Sequence, residues 1–176
     1  RPADVDETLD PAFIPSPVDE ISIDTHFRRY AWARGLTQMR EIQTSEVAAR
    51  VIVGGRLGPT GAGYKGRMPG VLEEALLSIR AERPVYLIGA FGGCARLVVD
   101  ALEGVVRPEL TWEFQKSAAH SEELRRLYRE RGQAWDEYED IAMLLRGRGI
   151  SSLKNGLSVD ENRELATARF AERIVE

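Results

Sequence analysis

A chain of 176 residues with 43% hydrophobic and 30% charged content has the make-up of an ordinary globular domain with a sizeable core. Its net charge of −4 argues against nucleic acid as the main partner, and no apolar run reaches the length of a membrane span. Cys94 is the single cysteine and His26 and His120 the two histidines, which excludes an intrachain disulfide, gives no Cys/His zinc set, and suits a reducing, cytoplasmic compartment; no metal and no cofactor is expected.

Residues 1–20 are acidic, contain prolines and read as a linker or extended arm, with residues 21–176 as the folded domain. Ile21 and Ile23 alternate with polar residues, as an edge strand would. Asp24 or Thr25 caps a helix running to about Arg34, with Phe27, Tyr30 and Ala31 on one side. Gly35 interrupts it, and Thr37 opens a second helix to about Ala49, with Met39, Ile42, Val47 and Ala48 as its apolar members. His26 has no partner motif and reads as a surface or capping residue.

The central stretch runs from Val51 to Leu102. A short β-branched run, Arg50-Val51-Ile52-Val53, stops at Gly54-Gly55 as a buried strand entering a glycine turn does. A loop rich in glycine follows, carrying Arg56, Tyr64, Lys65, Gly66 and Arg67. Met68-Pro69-Gly70 opens a helix with Leu72, Ala75, Leu76 and Ile79 on one face. A second buried strand, Pro84 to Ile88, ends at Gly89, and Phe91-Gly92-Gly93 leads into a helix with Leu97, Val98, Ala101 and Leu102 facing inward. Strand, glycine turn and helix thus occur twice, which predicts an α/β fold with a Rossmann-like open parallel sheet flanked by helices. Such sheets bind ligands outside the carboxyl ends of their strands. A doubly wound sheet usually has about five strands. Further strands are therefore expected upstream of Arg1, or in weakly marked stretches of a chain that starts without Met.

Beyond Val105, Pro108 to Phe114 reads as a short strand or lid-like connection. Ser121 opens a charged helix to about Arg131, and Trp135 to Arg146 forms another. Their mixed charges suit a solvated helix pair. Ile150 to Gly156 reads as a loop, and Ser158 with Glu161 is a capping box that starts a last helix through Leu165, Phe170 and Ile174.

Glycine lets backbone amides approach a phosphate where a Cβ would intervene, and a helix start adds free N–H groups. Gly54, Gly55, Gly66, Gly70, Gly89, Gly92 and Gly93 are therefore candidate ligand contacts, with Arg56, Lys65 and Arg67 as phosphate clamps and Tyr64 and Phe91 as base-stacking rings. Each has a plain alternative: tight turns, solvated cations, and rings packed under the loop. Glu73 and Glu74 either complement the dipole of their helix or serve as ligand contacts. Cys94, near a helix start, reads as a packing residue, and Asp100 and Glu103 as part of a solvated helix face. Neither the P-loop pattern nor a full G-x-G-x-x-G is present.

These residues carry a resemblance. Met39-Arg40 ahead of the strand, Gly54-Gly55 at its end and Pro69-Gly70-Val71-Leu72-Glu73-Glu74 resemble the helix and the Pro-Gly-Gly-x-Gly-Thr-x-x-Glu turn of Lonely-guy type phosphoribohydrolases. Here the turn is split by an insertion, and Val71 stands where the motif has Thr. With P-V-Y-L-I-G-A-F-G-G following, the chain is more similar to the sensor branch of that superfamily, the SLOG domains. Those occur in melastatin-type TRP channels and in bacterial anti-phage effectors. The similarity spans about residues 37 to 105 and recurs weakly at Asn155 to Glu164. It implies a nucleotide-like ligand, such as an ADP-ribose derivative or cyclic nucleotide. It also implies a fused or associated TIR, sirtuin-like or nuclease effector, and a homo-oligomer. The alternative it implies is an N-glycosidic hydrolase, with Glu74 and Arg40 as catalytic residues.

Overall fold

The computed structural model describes residues 25–58, 64–118 and 120–167. Residues 1–20, Ile21, Ile23, Phe170 and Ile174 lie outside the described residues.

The described chain is α/β, with seven α-helices around a two-stranded parallel sheet. β1 (Arg50–Val53) pairs with β2 (Val85–Ile88), Ile52 lying opposite Leu87. α2 (Gly70–Arg80) forms the crossover between them, and α3 (Gly93–Leu102) follows β2. The full Rossmann-like sheet expected from the sequence is not present among the described residues; these two strands are its extent there. Pro108 to Phe114 adds no strand. It forms a 3-10 turn at Pro108–Leu110 and a single helical turn, α4 (Trp112–Gln115), in which the Thr111 hydroxyl accepts the Phe114 amide. Ile150–Leu153 is likewise a 3-10 turn.

The main core forms where the period-3.6 faces of α2 and α3 meet the strands. Leu72, Ala75, Leu76 and Ile79 of α2 and Leu97, Val98, Ala101 and Leu102 of α3 are buried with Ile52 and Leu87. Burying each large aliphatic side chain contributes about 1.5–3 kcal/mol. α6 (Tyr138–Arg148) closes this core with Tyr138, Ile141 and Leu145. The strands are covered unequally. Val51 and Val53 alternate with buried Ile52 and remain 61% and 47% exposed, so β1 reads as half-buried where its apolar run predicted a strand covered on both faces. β2 is better covered, because α7 (Val159–Thr167) packs on it. Asn155 sets that docking: its Nδ2 donates to the Val85 carbonyl and to Asn162 Oδ1, each at 2.7 Å. The Ser158–Glu161 capping box forms as expected, each backbone N–H meeting the other's side chain.

α1 is one helix, His26–Glu46, capped by Thr25, so Gly35 does not break it. Nothing lies within 4 Å of a Cβ placed on Gly35, and a helical glycine costs only about 1 kcal/mol against alanine when packing holds both sides. The first half buries Tyr30, Ala31 and Ala33 against Leu124 and Tyr128 of α5 (Ser121–Glu130), a second, smaller core. The second half reverses the expected face. Met39 and Ile42 are exposed, while Thr37, Arg40 and Thr44 are buried. The partner opposite them is charged, as the site geometry explains.

Candidate functional site

The two glycine turns sit side by side at the carboxyl ends of β1 and β2. Gly54, Gly55, Gly92 and Gly93 all have positive φ (58°, 93°, 69° and 65°), a region that disfavours side chains. Their contact is close. Cys94 N donates to the Gly55 carbonyl at 3.1 Å, and Ala95 N donates to the Gly54 carbonyl at 2.8 Å. A Cβ on Gly93 would overlap the Gly55 carbonyl oxygen and lie 2.8 Å from that of Gly54. The first turn of α3 is thus partly capped by the first glycine turn, and two of its amides are already used. The outer faces of Gly54 and Gly92 are open, with no atom within 4 Å of an added Cβ. Among the described residues, the backbone N–H groups of Gly55, Arg56 and Gly93 meet no carbonyl. Arg56 and Lys65 are exposed and make no ion pair with described residues. Phe91 is 64% exposed beside the second turn.

Other residues expected at a ligand are engaged elsewhere. Glu73 is fully buried and holds three donors: Thr37 Oγ1 at 2.7 Å, Arg67 Nε at 2.7 Å and Arg40 Nη1 at 2.6 Å. Arg67 continues to Asp136 at 2.8 Å, and Arg80 meets the other oxygen of Asp136 at 2.6 Å. Burial alone would lower the Arg67 guanidinium, but Glu73 and Asp136 outweigh it and hold Arg67 above its ordinary value. Glu74 accepts from Arg40 at 3.4 Å and from Arg50 at 3.2 Å. Arg50 also donates to Ser78 and Thr44. This chain of charges ties α1 to α2 and to the start of β1, and it explains why α1 buries a polar face. Gly70 belongs to the same assembly: a Cβ there would strike Arg40.

Glu74 therefore pairs with the guanidinium of Arg50, the first residue of β1, while Val71, one turn earlier on α2, lies where a Cβ on Gly55 would strike it. A Cβ on Gly66 would meet Met68 and Arg40 only at ordinary distances, and one on Gly89 would lie 2.7 Å from the Ala166 carbonyl of α7. Tyr64 packs inward, its hydroxyl 3.1 Å from Gln115 Oε1 and 3.2 Å from the Tyr138 hydroxyl. Burial raises the Tyr64 hydroxyl above its ordinary value, partly offset by hydrogen bonding with Tyr138 and Ser121.

Gln115 is the contact that sequence reasoning missed. It is fully buried, and its Nε2 donates to the carbonyls of Leu57 and Glu109, each at 2.7 Å. That side chain fixes the loop leaving the first glycine turn. A glutamine in a short polar stretch carries no local signal of such a role. Asp100 also departs from its expected solvated face: it is 4% exposed and paired with Arg96 and Arg107, whereas Glu103 does pair near the surface with Arg163. Cys94 Sγ donates to the Arg56 carbonyl at 2.7 Å, and burial pushes its thiol up to about 12.

The family model described as SLOG cluster2 matches residues 2–165. This chain belongs to the SLOG family. No curated protein and no solved structure matches it. Family membership gives the SLOG domain a nucleotide-related role, and the open glycine turns lie at the sheet edge where α/β domains take ligands. No helix among the described residues is long and apolar enough to cross a membrane.

Proposed function

We propose that this SLOG domain senses an anionic, nucleotide-derived signal, an ADP-ribose derivative or cyclic nucleotide, at the paired glycine turns. The observation that carries this reading is the open backbone at Gly54 and Gly92 beside exposed Arg56. A phosphate seated there meets the N–H groups of Gly55, Arg56 and Gly93 and the guanidinium of Arg56. Phe91 offers a ring to the base or ribose. Binding regulates a fused or associated TIR, sirtuin-like or nuclease effector in bacterial anti-phage defence, within the cytoplasm. Exposed Val51 and Val53 on β1 support assembly with further copies of the domain.

The placement of Glu74 favours sensing over hydrolysis. Its carboxylate is held by both Arg40 and Arg50, while general acid–base work needs it free to meet the glycosidic bond. The test is incubation with AMP, ADP-ribose and cyclic ADP-ribose, following thermal unfolding and free base together. The expected result is stabilisation by at least one of them with no base release. Arg56→Ala should weaken that binding about tenfold or more, a charge-assisted hydrogen bond being worth about 1.5–3 kcal/mol. Turnover abolished in Glu74→Gln would establish the hydrolase instead.

A further inference from the structure

The two histidines of the chain lie 94 positions apart, yet the fold places both against one carboxylate. His26 is the first residue of α1, His120 precedes α5, and Glu123 lies in the first turn of α5. His26 Nδ1 is 2.6 Å from Glu123 Oε2, and His120 Nδ1 is 4.0 Å from the same oxygen. One donor atom from each of the three lies within 4.8 Å of the others. Arg126 Nη2 approaches the other oxygen, Glu123 Oε1, at 3.6 Å, which leaves Oε2 to the imidazoles.

From this geometry we propose that His26, His120 and Glu123 form a site for a late first-row divalent cation, Zn2+ above all. Two imidazole nitrogens and one carboxylate oxygen are the donor set of a three-ligand zinc site, with a fourth position left for water. Bonds of about 2.0–2.2 Å in tetrahedral geometry set donors roughly 3.4 Å apart. The observed separations of 2.6 and 4.0 Å fall on either side of that, within side-chain shifts of under about 1 Å. His26 and His120 are 58% and 43% exposed, so their rings are free to make those shifts and an ion has a path in. Ligation through Nδ1 of His26 leaves that ring neutral with its hydrogen on Nε2, and replaces the His26–Glu123 hydrogen bond with two metal–ligand bonds. It would clamp the start of α1 to the start of α5, beside the smaller core formed by Tyr30, Leu124 and Tyr128.

The experiment titrates the metal-stripped full chain with Zn2+ and with Co2+, using calorimetry and the visible absorption of cobalt. Binding of one ion per chain is expected, with a raised unfolding temperature and no comparable effect of Mg2+. His26→Ala and His120→Asn should each weaken Zn2+ binding at least about tenfold. Asparagine is chosen because the backbone at residue 120 is left-handed (φ 70°), a conformation Asn adopts readily. Circular dichroism verifies that each variant is folded. Failure to bind one Zn2+ per chain, or equal affinity in both folded variants, overturns the site and leaves a hydrogen-bonded His26–Glu123 pair.

Discussion

Ala95 N donates to the Gly54 carbonyl at 2.8 Å, so the turn that ends β1 caps the helix that follows β2. The two glycine turns form one rigid unit, and a ligand at their outer face meets a preformed backbone. Rigidity of this kind reduces the ordering cost of binding.

Gly93→Ala tests that unit. Its Cβ would collide with the Gly55 carbonyl, and φ of 65° adds strain of about 1–3 kcal/mol. The expected variant unfolds in urea at a clearly lower midpoint than wild type, by more than the strain alone. A midpoint within error of wild type would show that the turns can part without cost.

Glu73→Gln tests the buried charges. Losing the carboxylate leaves Arg40 and Arg67 in the interior with their main counter-charge gone, a class of change that costs about 3–5 kcal/mol. Chemical denaturation should show the loss at every salt concentration, because buried pairs are weakly screened.

Asp136 gives a pH dependence. Burial raises its carboxyl, but the Arg80 hydrogen bond and the charge of Arg67 outweigh that and hold it below the ordinary aspartate range. Its folded value is depressed, so its contribution is complete above the unfolded aspartate value of about 3.9 and disappears as pH falls through the folded value. Asp136→Asn should therefore be less stable than wild type at neutral pH. The gap should narrow below about pH 4, as followed by thermal unfolding across an acid series.

Cys94 should resist alkylation. With its thiol buried, bonded to the Arg56 carbonyl and pushed up to about 12, it carries almost no thiolate at pH 8. Iodoacetamide followed by mass spectrometry should leave it unmodified in the native protein and label it fully in denaturant. Rapid native labelling would mean that the loop from Gly55 to Gly58 opens readily.

The sequence alone determined the elements whose signals are local. The aliphatic faces of α2 and α3 at helical spacing, both short β-branched strands, the glycine turns after them and the Ser158–Glu161 cap are set by neighbouring residues, and the fold reproduces each. Gly54-Gly55, the motif Pro69 to Glu74 and the run from Pro84 to Gly93 together pointed to the SLOG family. The tertiary structure decided what depends on partners distant in the chain. It joined α1 across Gly35, exposed Met39 and Ile42, and buried Arg40, because Glu73 lies opposite with a charge that must be met. It turned Arg67 from a loop cation into that carboxylate's partner, brought Gln115 to Leu57, and set His26 and His120 around Glu123. Periodicity reports which face of an element is apolar. Where the buried partner is itself charged, burial follows charge pairing, and no local pattern in the sequence records it.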